Sequence, residues 1–257
     1  MLLAVDIGNT NITVGIFEDN LLGATWRIST DSSRTSDEYG LQLKHLLENE
    51  SRVIGHVTDV AICSVVPPLT PTFENLCQRY FNVSPLIIDA GSKTGIQVMY
   101  DSPRDVGADR IVDATAAIHI YGGPAIVVDL GTATVFDAIT SAGEYLGGAI
   151  APGMGVSGDA LFRATSQLRR VELSPPETAI GKNTQHSIQS GLVLGYSELV
   201  KGMIRRFKSE LGDNAKAIAT GGLATVVEKE VGIFDVVDLD LTLKGLHIIH
   251  GFNTNRD

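Results

Sequence analysis

The sequence predicts an α/β fold of two similar halves, each a mixed sheet flanked by helices, and three observations carry that prediction. First, an unbroken aliphatic run, Leu2 to Val5, empties into Asp6-Ile7-Gly8-Asn9-Thr10 and gives way to alternating apolar residues, Ile12, Val14 and Ile16. A continuous run marks a strand buried on both faces and alternation a half-buried one, so the pair reads as a hairpin with a polar tip. Second, the device returns: Ile126-Val127-Val128 runs into Asp129-Leu130-Gly131-Thr132-Ala133-Thr134 and a second alternating stretch, Val135 to Ile139. Asp6 and Asp129 lie 123 residues apart, close to half of the 257-residue chain. Third, helix and strand signals alternate after the first hairpin, which argues for parallel strands added to an antiparallel start.

Taken in order, Leu21 to Ile28 completes a three-strand meander after the turn Glu18-Asp19-Asn20. Thr35-Ser36-Asp37-Glu38 is a capping box, and it opens a helix with Tyr39, Leu43, Leu46 and Leu47 on one face. Val57 to Val66 is a strand halted by Pro67-Pro68, Pro71 to Tyr80 a helix, and Leu86 to Asp89 a strand. Gly91 to Val106 reads as loop, ending in Gly107-Ala108-Asp109-Arg110 at the start of a helix that runs to Tyr121. Gly122-Gly123-Pro124 is a break. The second meander spans Ala125 to Leu130, Ala133 to Thr140 and Glu144 to Ile150, and a helix follows from about Gly155 to Ser166. Leu168 to Ile180 is irregular. Asn183-Thr184 caps a long helix, Gln185 to Leu211, whose Gly191, Gly195 and Gly202 suit close packing against a neighbour. Ala215 to Thr220 is a strand that ends in Gly221-Gly222, a further helix follows, Leu241 to Phe252 is the last helix, and the tail from Asn253 reads as frayed. The halves divide at 118/119, giving domains of residues 1–118 and 119–257.

Composition narrows the function classes. Hydrophobic residues make up 44% and charged residues 19%, the balance of a compact soluble protein. The net charge of -10 repels nucleic-acid backbones, and Arg205-Arg206-Phe207-Lys208, with Glu210 close behind, reads as a solvated helix face. No nucleic-acid partner is expected. Cys63 and Cys77 form no C-x-x-C pair, and Cys63 lies within an apolar strand, which fits a reducing compartment. No apolar run reaches membrane-spanning length, and a cytoplasmic location without membrane contact is expected. His247 and His250 have ligand-like spacing but no acidic or thiol partner nearby in sequence, and they read as a surface pair rather than a zinc site.

The chemistry concentrates at the two tips. Neither G-x-x-x-x-G-K-[ST] nor G-x-G-x-x-G is present, which sets aside the P-loop and the dinucleotide fingerprint. An aspartate, a glycine and small polar residues at a strand-to-strand turn can instead receive phosphate. Gly8 lets the backbone approach, Asn9, Thr10, Asn11 and Thr13 donate, and Asp6 can hold a hydrated divalent cation. One such tip alone reads as a turn; two matched copies are harder to explain that way. Gly221-Gly222, where a strand meets a helix, offers a side-chain-free shelf for an adenine. On residues alone Asp109 is best read as a carboxylate favoured by a helix N-terminus, although it also has the chemistry of a base acting on an alcohol.

The first tip, the second tip and Thr220-Gly221-Gly222 are similar in order and spacing to the phosphate-1, phosphate-2 and adenosine motifs of the sugar kinase, Hsp70 and actin superfamily. Within it the chain resembles type III pantothenate kinase. The motifs are Asp6-Ile7-Gly8-Asn9-Thr10, Gly107-Ala108-Asp109-Arg110, Asp129-Leu130-Gly131-Thr132, Gly147-Gly148-Ala149-Ile150-Ala151-Pro152-Gly153 and Gly181-Lys182-Asn183-Thr184, and Leu241-Thr242-Leu243-Lys244-Gly245-Leu246 also fits. One departure is Leu168-Arg169, where the family usually has proline after the leucine.

The resemblance implies two ribonuclease-H-like domains with a nucleotide cleft between them, and ATP-dependent phosphorylation of pantothenate to 4′-phosphopantothenate, the first step of coenzyme A synthesis. It reverses the reading of Asp109, which becomes the general base, with Asp105 and Asp113 as alternatives off the matching position. ATP would be bound by Asp6, Ile7, Gly8, Asn9, Thr10, Asn11, Ile12, Thr13, Thr132, Gly221 and Gly222. Pantothenate would contact Tyr100, Gly107, Ala108, Asp109, Arg110 and Thr184, with Thr184 also a helix cap. Asp6 would serve Mg2+, and Asp129 would serve a monovalent cation, K+ or NH4+, where neither tip carries a basic residue. The family's homodimers are expected here too, with the glycine-interrupted helix at the contact. The competing reading, a nucleotide-sensing regulator without catalysis, predicts loss of Asp109 or Thr184; Asp6, Asp109, Asp129 and Thr184 are all present.

Overall fold

The computed structural model describes residues 1–254, and it divides the chain into two units. Of the described residues, the first comprises Met1–Ile96, Asp101–Ala116 and the C-terminal helix Leu241–Thr254; the second comprises Gln97–Tyr100 and Ala117–Asp240. The last helix therefore belongs with the first sheet, although it follows the whole second half in sequence.

In the first unit, β1 (Leu2–Ile7), β2 (Asn11–Glu18) and β3 (Leu21–Ser29) form the antiparallel meander, and β4 (Asp59–Ser64) and β5 (Leu86–Ile87) add in parallel, in the order β3-β2-β1-β4-β5. Strand alternation sends side chains to two separate layers. Leu3, Val5, Ile7, Val60 and Ile62 pack on one face beneath α1 (Ser36–Asn49) and α2 (Thr70–Leu76), meeting Tyr39, Leu43, Leu47 and Phe73. Leu2, Ala4, Ala61 and Cys63 take the other face, against α3 (Ala108–Ala116) and the C-terminal helix Leu241–Thr254. The expected capping box at α1 is formed: the Thr35 hydroxyl accepts from the Glu38 amide, and Glu38 Oε2 accepts from the Thr35 amide at 2.8 Å. Such a cap is worth about 1 kcal/mol.

The second unit repeats the plan. Its sheet runs β11-β10-β7-β8-β9-β6, built from β6 (Gln97–Val98), β7 (Ala125–Leu130), β8 (Ala133–Ile139), β9 (Glu144–Pro152), β10 (Lys216–Thr220) and β11 (Val236–Val237). β7 and β8 are antiparallel, as β1 and β2 are, and β10 joins β7 in parallel, as β4 joins β1. Helices α4 (Met154–Ala164), α5 (Thr184–Gln189), α6 (Gly195–Leu211) and α7 (Ala224–Val231) complete this unit, and the C-terminal helix, α8, belongs to the first. Ile126, Val128 and Phe136 pack with Val200 and Ile204 of α6 and Val227 of α7. β1 and β7 show the same burial along their length: four buried residues, a half-buried aspartate, then a buried aliphatic.

Several elements differ from expectation. β6 lies inside the stretch read as loop: Gln97 and Met99 amides donate to the Gly143 and Tyr145 carbonyls at 2.9 and 2.8 Å, a main-chain pairing that two residues cannot signal by periodicity. The long helix contains a π-type turn, Ser190–Leu194, between α5 and α6, and nothing lies within 4 Å of where a side chain on Gly191, Gly195 or Gly202 would begin. Those glycines make no close packing among the described residues. His247 and His250 are not a surface pair: His247 stacks on Phe17 at 4.5 Å, and His250 Nε2 lies 3.5 Å from Asp59. Asn253 and Thr254 are not frayed: the Asn253 side chain exchanges hydrogen bonds with the Lys93 backbone at 3.1 and 2.9 Å, and the Thr254 hydroxyl donates to the His250 carbonyl at 2.7 Å as the last residue of the C-terminal helix; residues 255–257 lie outside the described residues.

Candidate active site

The first tip is the β1–β2 turn. The Gly8 amide donates to the Asn11 carbonyl at 3.0 Å, and Thr30, just past β3, donates its hydroxyl to the Gly8 carbonyl at 2.6 Å and its amide to the Thr10 carbonyl at 3.0 Å. These bonds leave Asn9 and Thr10 exposed at the apex. Ile7 and Ile12 are fully buried, so only their main chain can meet a nucleotide. Thr30 escaped the sequence reading because it lies 20 residues beyond the motif it braces.

Asp6 follows Leu2 and Ala4 in the alternation, so it points to the face covered by α3 and α8. Cys63 pairs with it in register across β1 and β4. Burial raises the Cys63 thiol well above its ordinary range, and the negative charges of Asp6, Asp109 and Asp113 push it further, which puts all three carboxylates around one buried sulfur. Asp6 and Asp109 are thus brought into one neighbourhood from positions 103 residues apart.

Asp109 sits in the first turn of α3, and its Oδ1 accepts from the Arg110 amide at 2.8 Å. A side chain at Gly107 would collide with that same oxygen, so glycine is required for the carboxylate to fold back over the chain. Burial raises the Asp109 carboxyl above its ordinary value, outweighing the hydrogen bond and charge of Arg110 that act in the opposite sense. A carboxylate moved toward neutrality is a better base than a solvated one. Of the alternatives, Asp105 is exposed in the turn Pro103–Asp105, while Asp113 is 4% exposed and accepts the Thr242 hydroxyl at 2.7 Å.

In the second unit, Asp129 is the penultimate residue of β7, with Thr220 beside it in register on β10. Gly221, at φ +89°, has no room for a side chain: one would collide with Asp129 Oδ1 and stand 2.7 Å from the Leu130 backbone. The Leu223 amide closes the turn on the Leu130 carbonyl at 3.0 Å. The Asp129–Thr132 turn and the Thr220–Gly222 segment therefore abut, and Gly153 tucks against the Gly131 and Thr132 carbonyls with its amide donating to Thr132 at 3.0 Å. Tyr100 lies against Gly147, 6.4 Å from the Tyr145 ring, and Tyr145 donates to the buried Asp137 at 2.7 Å. The Asp137–Tyr145 pair was missed because both residues fall in ordinary strand patterns. Thr184 is the exposed first residue of α5, and the cap is Asn183, whose side chain accepts from the His186 amide at 2.8 Å, so Thr184 is not the cap. A cavity of about 280 Å³ between β8, β9 and the end of α6, lined by Leu146, Phe207 and Glu210 among others, includes none of the expected ATP or acceptor residues.

Among the described residues no cluster of three or more His, Cys, Asp or Glu forms a metal cage, and no helix is long and apolar enough to cross a membrane. A single carboxylate ligand, as Asp6 could provide, suits a divalent ion that keeps water and phosphate oxygens as its remaining ligands.

Comparison with solved structures places this architecture among two-domain sugar-kinase and actin-like ATPase folds. A Campylobacter jejuni protein described as a conserved Baf family transcriptional activator is 20% identical, with a TM-score of 0.63 over 99% of this chain and 100% of that one. A Sinorhizobium meliloti protein provisionally assigned as a 2-dehydro-3-deoxygalactonokinase is 14% identical, with a TM-score of 0.59 over 100% and 98%. The inorganic polyphosphate/ATP-glucomannokinase of Arthrobacter sp. strain KM is 14% identical, with a TM-score of 0.52 over 98% of each chain. At these identities the likeness is one of fold. The sequence profile of the type III pantothenate kinase family matches residues 2–206, a span that holds both tips and the Gly107–Arg110 segment. The chain is a kinase, and it belongs to the type III pantothenate kinase family.

Proposed function

We propose that this chain transfers the γ-phosphoryl group of ATP to the primary hydroxyl of pantothenate with Asp109 as the general base. The observation that carries the reading is the gathering of Asp6 and Asp109 around Cys63 on one face of the first sheet, a phosphate-side acid and an acceptor-side acid in one neighbourhood. Asp109 takes the hydroxyl proton as the alcohol oxygen bonds to the γ-phosphorus; the bond from that phosphorus to the β,γ-bridging oxygen breaks, and ADP leaves. Arg110, adjacent to the base, matches the pantothenate carboxylate in charge. Gly107 and Ala108 shape the approach, and Tyr100 and Thr184 supply further pantothenate contacts.

On the nucleotide side, the Gly8 to Thr13 turn offers main-chain amides and small hydroxyls to phosphate, Thr132 adds a contact, and Gly221 with Gly222 receives adenosine. Mg2+ on Asp6 and K+ or NH4+ on Asp129 would supply charge neutralisation for the phosphates when bound. The open helix surface at Gly191, Gly195 and Gly202 favours a homodimer contact, which sedimentation of the purified chain measures directly. Asp109→Asn tests the base. Turnover should fall at least about a hundredfold while ATP binding stays measurable, and near-normal turnover would remove Asp109 from the role.

A further inference from the structure

We propose that Asp113 and Thr242 together position Asp109, a role that rests on reading Asp109 as the base. Asp113 lies one helical turn beyond Asp109 on α3, so both carboxylates project from the same side of that helix. Asp113 is 4% exposed, and its Oδ1 accepts the Thr242 hydroxyl of α8 at 2.7 Å. Thr242 lies beyond the residues matched by the family profile.

A second feature of the same crossing fixes its depth. A side chain at Gly245 would collide with the carbonyl and Cγ1 of Val112, so the absence of one on α8 is what lets the two helices approach closely at Val112. Val112 directly precedes Asp113, and Gly245 lies three residues after Thr242, so the close approach and the hydrogen bond occupy adjacent points on both helices. Leu243, Leu246 and Ile249 of α8 pack with Leu2, Ala4 and Cys63 of the sheet, and Ala108 packs against the same group. The sheet therefore fixes α8, and α8 holds α3 through the close approach at Val112, the Thr242–Asp113 hydrogen bond and apolar packing that includes Ala108 and Val112. Apolar packing tolerates rotation of a helix about its axis, whereas a buried hydrogen bond selects one rotation. Rotation of α3 is what would swing Asp109 away from an acceptor hydroxyl.

Steady-state kinetics, ATP binding by calorimetry and thermal melting of Thr242→Val, Thr242→Ser, Asp113→Ala and the Thr242→Val/Asp113→Ala pair, with Asp109→Asn alongside, test this. Misplacement of a reacting group by about 1 Å costs up to a hundredfold. Thr242→Val and Asp113→Ala should each lower kcat by about tenfold or more, with the ATP dissociation constant within about twofold of wild type. The double variant should be no worse than the poorer single, and Thr242→Ser should recover at least about half of the lost kcat. Unchanged kcat in Thr242→Val, or equal losses in kcat and ATP binding that follow a fall in melting temperature, would overturn the positioning role while leaving Asp109 in place if Asp109→Asn is inactive. An active Asp109→Asn would overturn both.

Discussion

Gly221 and Asp129 share a space that only a glycine can leave open: Asp129 Oδ1 occupies the position a side chain at 221 would need, and the backbone there has φ +89°. Strand β10 thus delivers the Gly221-Gly222 turn directly onto the Asp129 turn, the two segments proposed to meet adenosine and phosphate. Gly221→Ala combines left-handed strain of about 1–2 kcal/mol with displacement of the carboxylate. The variant should melt roughly 4 °C or more below wild type and lose ATP affinity. Unchanged melting would show that the turn relaxes freely.

Burial holds the Asp109 carboxyl above its ordinary value of 3.8, so the folded protein keeps that proton more tightly than the unfolded chain does. Its stabilising contribution is present below the ordinary carboxylate range and is lost as pH rises through the raised value. Asp109→Asn preserves the Oδ1 acceptor for the Arg110 amide and removes the buried charge. Calorimetric melting at pH 7 should therefore place this variant above wild type, with the gap closing in acid. In the wild type, the acid limb of kcat/KM should fall above the ordinary carboxylate range. A variant that melts lower at pH 7 would contradict the desolvated carboxylate.

Thr30 braces the first tip with its hydroxyl on the Gly8 carbonyl and its amide on the Thr10 carbonyl, and only the hydroxyl bond depends on the side chain. Thr30→Val removes about 1 kcal/mol of restraint, which corresponds to about fivefold weaker ATP binding by titration calorimetry, with little change in the pantothenate KM. Equal effects on both substrates would show that Thr30 acts on the fold as a whole.

Both thiols are buried and raised, Cys63 well above its ordinary range and Cys77 to about 12. Neither should react with an aromatic disulfide reagent at pH 8 until denaturant is added. Rapid labelling of one thiol in native protein would show that its sheet face opens.

Most of the fold was legible because its signals are local. The aliphatic runs of β1 and β7, the Thr35 capping box and the glycine breaks each write their conformation into adjacent residues. The alternation that buries Leu2 and Ala4 on one face also places Asp6 on it, so one acid of the cluster follows from period two alone, while Cys63 joins it only through the pairing of β1 with β4. What sequence did not carry was long-range. β6 and β11 have two residues each, too few for a period, and exist because a neighbouring strand offers carbonyls. The return of α8 to the first sheet, Thr30 beneath the first tip and Thr242 on Asp113 depend on contacts across 20 to more than 100 residues. His247 shows the reverse failure: its spacing from His250 suggested solvent, but Phe17 covers it, and burial and then the charge of His250 lower its pKa.

Pantothenate phosphorylation is measured as ADP release in a coupled assay with ATP and pantothenate, in K+ and in Na+ buffers of equal ionic strength. ADP release that requires pantothenate and is faster in K+ is the predicted result. No pantothenate-dependent release in either salt would contradict it.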